Sequence, residues 1–278
     1  MGNPTVRGLR RRPATIRPMS SSRLWDRAAS LPAPVDGRLE PELAVLPEAL
    51  PDVAILFAFA RDAELRFRTL RLRIEERTAT AVGEHLTLID LAVRHPGHAR
   101  LTTSEPSRGT AANYEVWVSD GEIVRTYSAP HRLGTERPVR RRIVGLEDPD
   151  LPGMSTVYRP LTALPAETLP ETFVHPAGFC QNVLGTGVCW VSGTTEISGR
   201  EAVVLECDHP RTIEIAGDRP DYHLQVAFDR ETGIVARLVE TIGGTMARDA
   251  TTVELSPDAA LPPAIFDFSF PTGTTLIY

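Results

Sequence analysis

Three cysteines and seven histidines carry most of the chemistry available to this chain. Cys180 and Cys189 flank Gly185 and Gly187, a spacing compatible with one closed loop. A disulfide there would contribute roughly 2.5 to 3 kcal/mol by the chain-entropy argument, and it would bracket an otherwise weakly held turn. The alternative is a pair of reduced, partly buried thiols. Cys207-Asp208-His209 stands at a strand end, and with Cys180, Cys189 and His175 it assembles the ligand types of a zinc site. No Cys-x-x-Cys or His-x-x-x-His spacing organises them, so no metal site is assigned. His95 and His98 bracket Pro96-Gly97 and read as solvated turn residues. There is no Gly-x-Ser-x-Gly elbow, no phosphate-binding loop and no dinucleotide fingerprint between a strand and a helix. All 30 basic residues are arginine, which excludes Schiff-base and lysine-base chemistry. No catalytic residue and no cofactor is assigned, and the chain does not read as an enzyme.

The composition sets the frame around these residues. The 278-residue chain is 42% hydrophobic, enough for a buried core. Its net charge of −6 argues against nucleic acid as a partner. No run approaches the roughly 18 to 20 apolar residues of a membrane helix. The basic N-terminus (Arg7, Arg10, Arg11, Arg12, Arg17) is followed by no apolar segment of the kind a secretory signal needs. As written, the chain is expected in the cytoplasm. A misassigned start, together with a real Cys180–Cys189 bridge, would place it outside. Residues 1–50 read as a poorly ordered arm rich in arginine and proline, and residues 51–278 as one domain.

Within that domain Pro51 to Leu65 predicts a helix, with Asp52 near the positive end of its dipole. The run Ile55-Leu56-Phe57-Ala58-Phe59 is apolar nearly all round and is expected to pack against a sheet. Strands follow. From Phe67 to Glu75, Leu70, Leu72 and Ile74 face one way and arginines the other. Leu86 to Leu91 and Ala99 to Thr103 come next. Tyr114 to Val118 and Ile123 to Tyr127 flank Ser119-Asp120-Gly121, a hairpin signal. Ala129 to Pro165 breaks the pattern and reads as a long connection, and Pro165 to Leu184 as one or two short helices. The last third is an antiparallel meander. It runs through Glu196-Ile197, Glu201 to Asp208, Tyr222 to Asp229, Ile234 to Ile242 and Ala247 to Leu255, and closes on Phe266 to Pro271.

Several of these stretches carry a resemblance. They are Trp117 with Asp120-Gly121, Gly199-Arg200-Glu201-Ala202, Val226-Ala227-Phe228-Asp229 with Thr232-Gly233, and Phe266-Asp267-Phe268-Ser269-Phe270-Pro271-Thr272-Gly273. The chain resembles the LolA-like superfamily of lipoprotein carriers, with its RseB/MucB-like regulators and actinobacterial lipid-carrier lipoproteins. The resemblance implies a mainly β (α+β) fold, a curved half-open antiparallel β-barrel with helices in or over its concave face. It further implies a lipid or an apolar peptide segment in that concavity. The residues expected to line it are Phe57, Leu70, Leu72, Trp117, Leu224, Val226 and Phe228. Arg140, Arg141 and Arg142 would stand at its rim, on a loop acting as a lid. Two outcomes stay open: an apolar pocket on the concave face, or helices that fill it. A regulatory module that binds a protein partner is the competing function.

Overall fold

The first helix begins where the sequence caps it. Asp52 Oδ1 accepts the amide of Ile55 at 2.8 Å, and α1 (Val53–Arg61) follows, turning into a short 3-10 segment at Ala63–Arg66. The computed structural model describes residues 40–81, 83–106, 113–139, 160–210 and 221–277. Among these, twelve strands form one sheet. They are β1 (Thr69–Thr80), β2 (Gly83–Arg94), β3 (His98–Ser104), β4 (Tyr114–Asp120), β5 (Ile123–Ser128) and β6 (Leu133–Pro138), then β7 (Val188–Ile197), β8 (Arg200–Asp208), β9 (Tyr222–Asp229), β10 (Val235–Ile242), β11 (Thr245–Pro257) and β12 (Thr275–Ile277). Their order across the sheet is β12-β6-β5-β4-β3-β2-β1-β11-β10-β9-β8-β7. All pairs are antiparallel except β12 with β6. Two six-residue helices, α2 (Leu169–Val174) and α3 (Ala177–Asn182), and a 3-10 turn at Leu184–Thr186 lie between β6 and β7.

The sheet is curved and open. Its two ends, β12 and β7, do not pair. Ladder irregularities at Arg73/Ile74, Val235/Arg237, Glu240/Thr241 and Val191/Gly193 bend the strands that carry them. The curl is steep at the β7 end. Ser198, in the turn after β7, donates its hydroxyl to the Thr252 carbonyl of β11 at 2.6 Å, across three intervening strands.

Strand alternation splits the buried residues between two faces. One face carries Leu70, Leu72, Ile74, Leu91, Leu205, Leu224, Val226 and Phe228, and α1, α2, α3 and the 3-10 turn after them cover it with Leu56, Phe59, Phe173, Val174, Cys180, Leu184 and neighbours. The other face carries two small clusters. Ala202, Ala227 and Ala236 pack with Ile197 and Val204 at the curled end. Val116, Val118 and Tyr127 pack with Phe268 and Phe270 near the other end.

Three expectations are corrected. β6 lies inside the stretch read as an unstructured connection; it pairs with β5 on one side and β12 on the other. β7 begins at Val188 rather than Glu196. The terminal Phe-x-Phe is not a strand: a 3-10 turn spans Pro263–Phe266, and Phe268 and Phe270 meet edge-to-face at 5.3 Å and cover β4 and β5. The strand that does close the chain is β12.

Candidate functional site

The expected lining residues converge on the helix-covered face. Leu70, Leu72, Leu224, Val226 and Phe228 are fully buried in its core, and Phe57 and Trp117 pack partly buried against it. Strand alternation puts Leu70 and Leu72 of β1 and Leu224, Val226 and Phe228 of β9 on one side of the sheet. The helices fill this face: Leu56, Phe59, Phe173 and Leu184 are as buried as the sheet residues beneath them. Among the described residues, the packing follows the second of the two outcomes left open by the sequence. Arg140, Arg141 and Arg142, and most of the proposed lid, lie outside the described residues.

The cover is fastened by buried and half-buried polar groups. Arg66 donates from Nη1 to the carbonyls of Phe59 (2.8 Å) and Thr232 (3.0 Å), and from Nη2 to Leu43 (2.6 Å). Its guanidinium also stands 3.6 Å from the centre of the Phe59 ring. One arginine thereby joins the N-terminal approach, α1 and the β9–β10 turn. Burial pulls its pKa down to about 10, against which nearby Asp62 acts. Asp62 accepts the Glu42 amide at 2.9 Å and pairs with Arg61.

A second seam joins the helices to the β2–β3 turn. Glu64, almost wholly buried, accepts the Leu161 amide at 2.9 Å and lies 3.2 Å from His175 Nε2 at the end of α2. Thr162 Oγ1 takes the amide of Gly97 and meets His95 Nδ1, both at 2.8 Å. Burial pushes His95 down to about 4, so the ring is neutral near pH 7. His95, expected as a solvated turn residue, is instead part of this seam.

The opposite face offers a different kind of concavity. A cleft of about 240 Å³ is lined by Ser192, Gly193, Thr195, Glu206, Gln225 and Arg237, with Ile197 and Val204 among the apolar contributors. Beside it His223 is held between two carboxylates, Asp208 at 2.7 Å on Nδ1 and Glu206 at 2.8 Å on Nε2. Burial alone would lower the His223 pKa; the two carboxylates outweigh it and hold the imidazole above its ordinary value. Arg237 is engaged by Asp249 through two bonds of 3.0 and 2.7 Å.

The cysteines come together in an arrangement that spacing did not predict. All three are free thiols, so the expected Cys180–Cys189 bridge is not formed. Cys189 of β7 stands directly opposite Cys207 of β8 in the antiparallel register, while Cys180 is buried on α3. His175 belongs to the Glu64 seam. Among the described residues no group of three or more His, Cys, Asp or Glu side chains is placed to hold a metal ion.

No protein-family model matches the chain, and no curated protein matches it. Among solved structures the chain is similar to MucB at 16% identity and a TM-score of 0.45, over 78% of this chain and 62% of that one. It is similar to an uncharacterised conserved protein from Thermus thermophilus at 10% identity and a TM-score of 0.44, over 81% and 98% of the two chains. A LolA superfamily protein from Nitrosomonas europaea matches at 10% identity and a TM-score of 0.32, over 78% and 98%. The chain thus spans 62% of the MucB chain and nearly all of the other two.

Proposed function

We propose that the chain is a non-catalytic binding protein whose guest is apolar, a lipid chain or an apolar peptide segment, taken up against the helix-covered face of the sheet. The observation that carries this reading is the construction of the cover. Among the described residues, a continuous surface of Leu, Val and Phe on a curved sheet is closed by one helix of nine residues and two of six, not by a second sheet. Helices this short have little stability of their own and hold their place by what they bury. A guest that touched Leu224, Val226 and Phe228 in place of Phe173, Val174 and Leu184 would keep the sheet face out of water while α2 and α3 lift. The cleft on the opposite face, of about 240 Å³, is lined in equal measure by polar and apolar surface and includes Glu206 and Arg237, a poor match for such a guest.

The test is solvent extraction and native mass spectrometry of the purified protein, followed by titration of the stripped protein with a long-chain fatty acid. One apolar molecule bound per chain supports the reading. Protein that yields no extractable lipid and takes up no fatty acid after stripping overturns it.

A second reading, a protein-interaction module, is favoured by one feature. β7 ends the sheet, and its Val188 and Trp190 are 64% and 42% exposed. An uncovered strand edge is a template for an added strand from a partner. Stoichiometric capture of one protein, abolished by Trp190→Asp while fatty-acid uptake is unchanged, would favour this reading over carriage. Among the described residues no helix is long and apolar enough to cross a membrane.

A further inference from the structure

The Cys189–Cys207 pair combines three features that matter for thiol chemistry. The two residues are register partners on adjacent antiparallel strands, so their side chains leave the sheet on the same face. Directly opposed residues in such a pair have Cα atoms about 4.5 to 5.5 Å apart, inside the range of about 4.4 to 6.8 Å that a disulfide spans. Both sulfurs also converge on one acceptor: Cys189 Sγ donates to the Leu184 carbonyl at 3.1 Å and Cys207 Sγ to the same oxygen at 3.5 Å. Leu184 closes the helical cover, its side chain fully buried in the core.

The two thiols are not equivalent. Cys189 is partly exposed, whereas Cys207 is fully buried. The neighbouring Cys207 thiol favours the Cys189 thiolate and holds the Cys189 pKa below its ordinary value, while the same pairing and burial push that of Cys207 up. Cys180 is also raised by burial, and it sits on α3 rather than opposite either strand position. The accessible thiol is therefore the better nucleophile, and a second thiol stands behind it.

We infer that Cys189 and Cys207 form a redox-active dithiol, oxidised by small disulfides to a cross-strand bridge that withdraws both S–H donors from the Leu184 carbonyl and loosens the helical cover. The Cys189 thiolate attacks one sulfur of a disulfide such as oxidised glutathione, forming a mixed disulfide and expelling one glutathione thiolate. Cys207 then loses its proton and attacks the Cys189 sulfur. The Cys189–Cys207 bond closes as the second glutathione leaves. Two protein thiols are oxidised and one disulfide is reduced to two thiols. The chemistry does not depend on the identity of the guest proposed above.

The experiment uses the full chain, reduced and then incubated with oxidised glutathione. It is followed by intact mass, peptide mapping and amide hydrogen exchange. The inference expects a mass lower by two hydrogens, a linked peptide containing Cys189 and Cys207, and faster exchange over residues 177–187. Cys207→Ser should instead retain one glutathione on Cys189, and Cys180→Ser should bridge as the parent does. A bridge between Cys180 and Cys189, or a glutathione adduct that persists in the parent, overturns the dithiol. A Cys189–Cys207 bridge with unchanged exchange over residues 177–187 overturns its coupling to the cover.

Discussion

Truncating Phe173 to alanine probes how the cover is held. Phe173 is the largest side chain that α2 buries, with no exposed surface, and it packs in the same core as Leu224, Val226 and Phe228. α2 has six residues, and its N-cap bond, from the Glu171 amide to Thr168 Oγ1, is 3.5 Å long. Local hydrogen bonding therefore contributes little, and packing by Leu169, Phe173 and Val174 fixes the helix. Removing a fully buried phenyl ring costs about 3 to 5 kcal/mol, part lost transfer energy and part residual cavity. With a urea dependence of about 2 to 3 kcal/mol per molar, the unfolding midpoint should fall by roughly 1 to 2.5 M at unchanged slope. The hollow left behind is apolar and should stay dry, so xenon or benzene should bind the variant and partly restore its stability. A midpoint shift below roughly 0.3 M would mean that α2 does not rest on the sheet as described, and the reasoning about the cover would fail with it.

Replacing Arg66 by methionine keeps much of the aliphatic packing but leaves the carbonyls of Phe59, Thr232 and Leu43 without this donor; a loss of about 3 kcal/mol in urea unfolding is expected, with Arg66→Lys recovering only part of it because one ammonium cannot reproduce the planar fork. At Gly134 a Cβ would stand 2.6 Å from Cε1 of the Phe270 ring, so Gly134→Ala should cost about 1 to 3 kcal/mol by the same assay. His95 is held at about 4 in the folded chain, below the ordinary value of about 6.5, so the unfolded chain binds the extra proton first. Stability should therefore fall as pH drops from about 6.5 through 4, by on the order of 3 kcal/mol in total, and His95→Asn should flatten that part of the profile measured by urea unfolding.

The parts of the fold that were legible are those where one face is buried and the period is clean. Tyr222, Leu224, Val226 and Phe228 alternate without interruption, and β9 occupies the expected span, Tyr222–Asp229. Asp120 and Gly121 marked the β4–β5 hairpin correctly; Asp120 Oδ1 accepts the amides of Glu122 and Ile123 at 3.0 and 2.7 Å. β6 was hidden because its one buried position is a glycine and it ends on Pro138. The first half of β7 was hidden because the irregularity at Val191/Gly193 resets the alternation that a reader would follow. Phe266 to Phe270 misled in the other direction: alternating aromatics read as a strand, but their partners are the rings and methyls of β4 and β5, not a backbone ladder. The cover itself was only half visible. Short helices between Pro165 and Leu184 were expected, but Arg66 meets Thr232 across 166 positions and Glu64 meets Leu161 across 97. The partner of Cys189 likewise depends on the β7–β8 register, which no spacing rule supplies.

The central claim, that an apolar guest sits against the helix-covered face, is tested most directly by tryptophan quenching with a bromine-labelled fatty acid. Trp117 packs on that face, while Trp190 sits near His223 on the other. In a variant that keeps Trp117 alone, with Trp25 and Trp190 changed to Phe, the account predicts saturable quenching at one fatty acid per chain. Quenching confined to a variant that keeps Trp190 alone, or none that saturates in either, would contradict it.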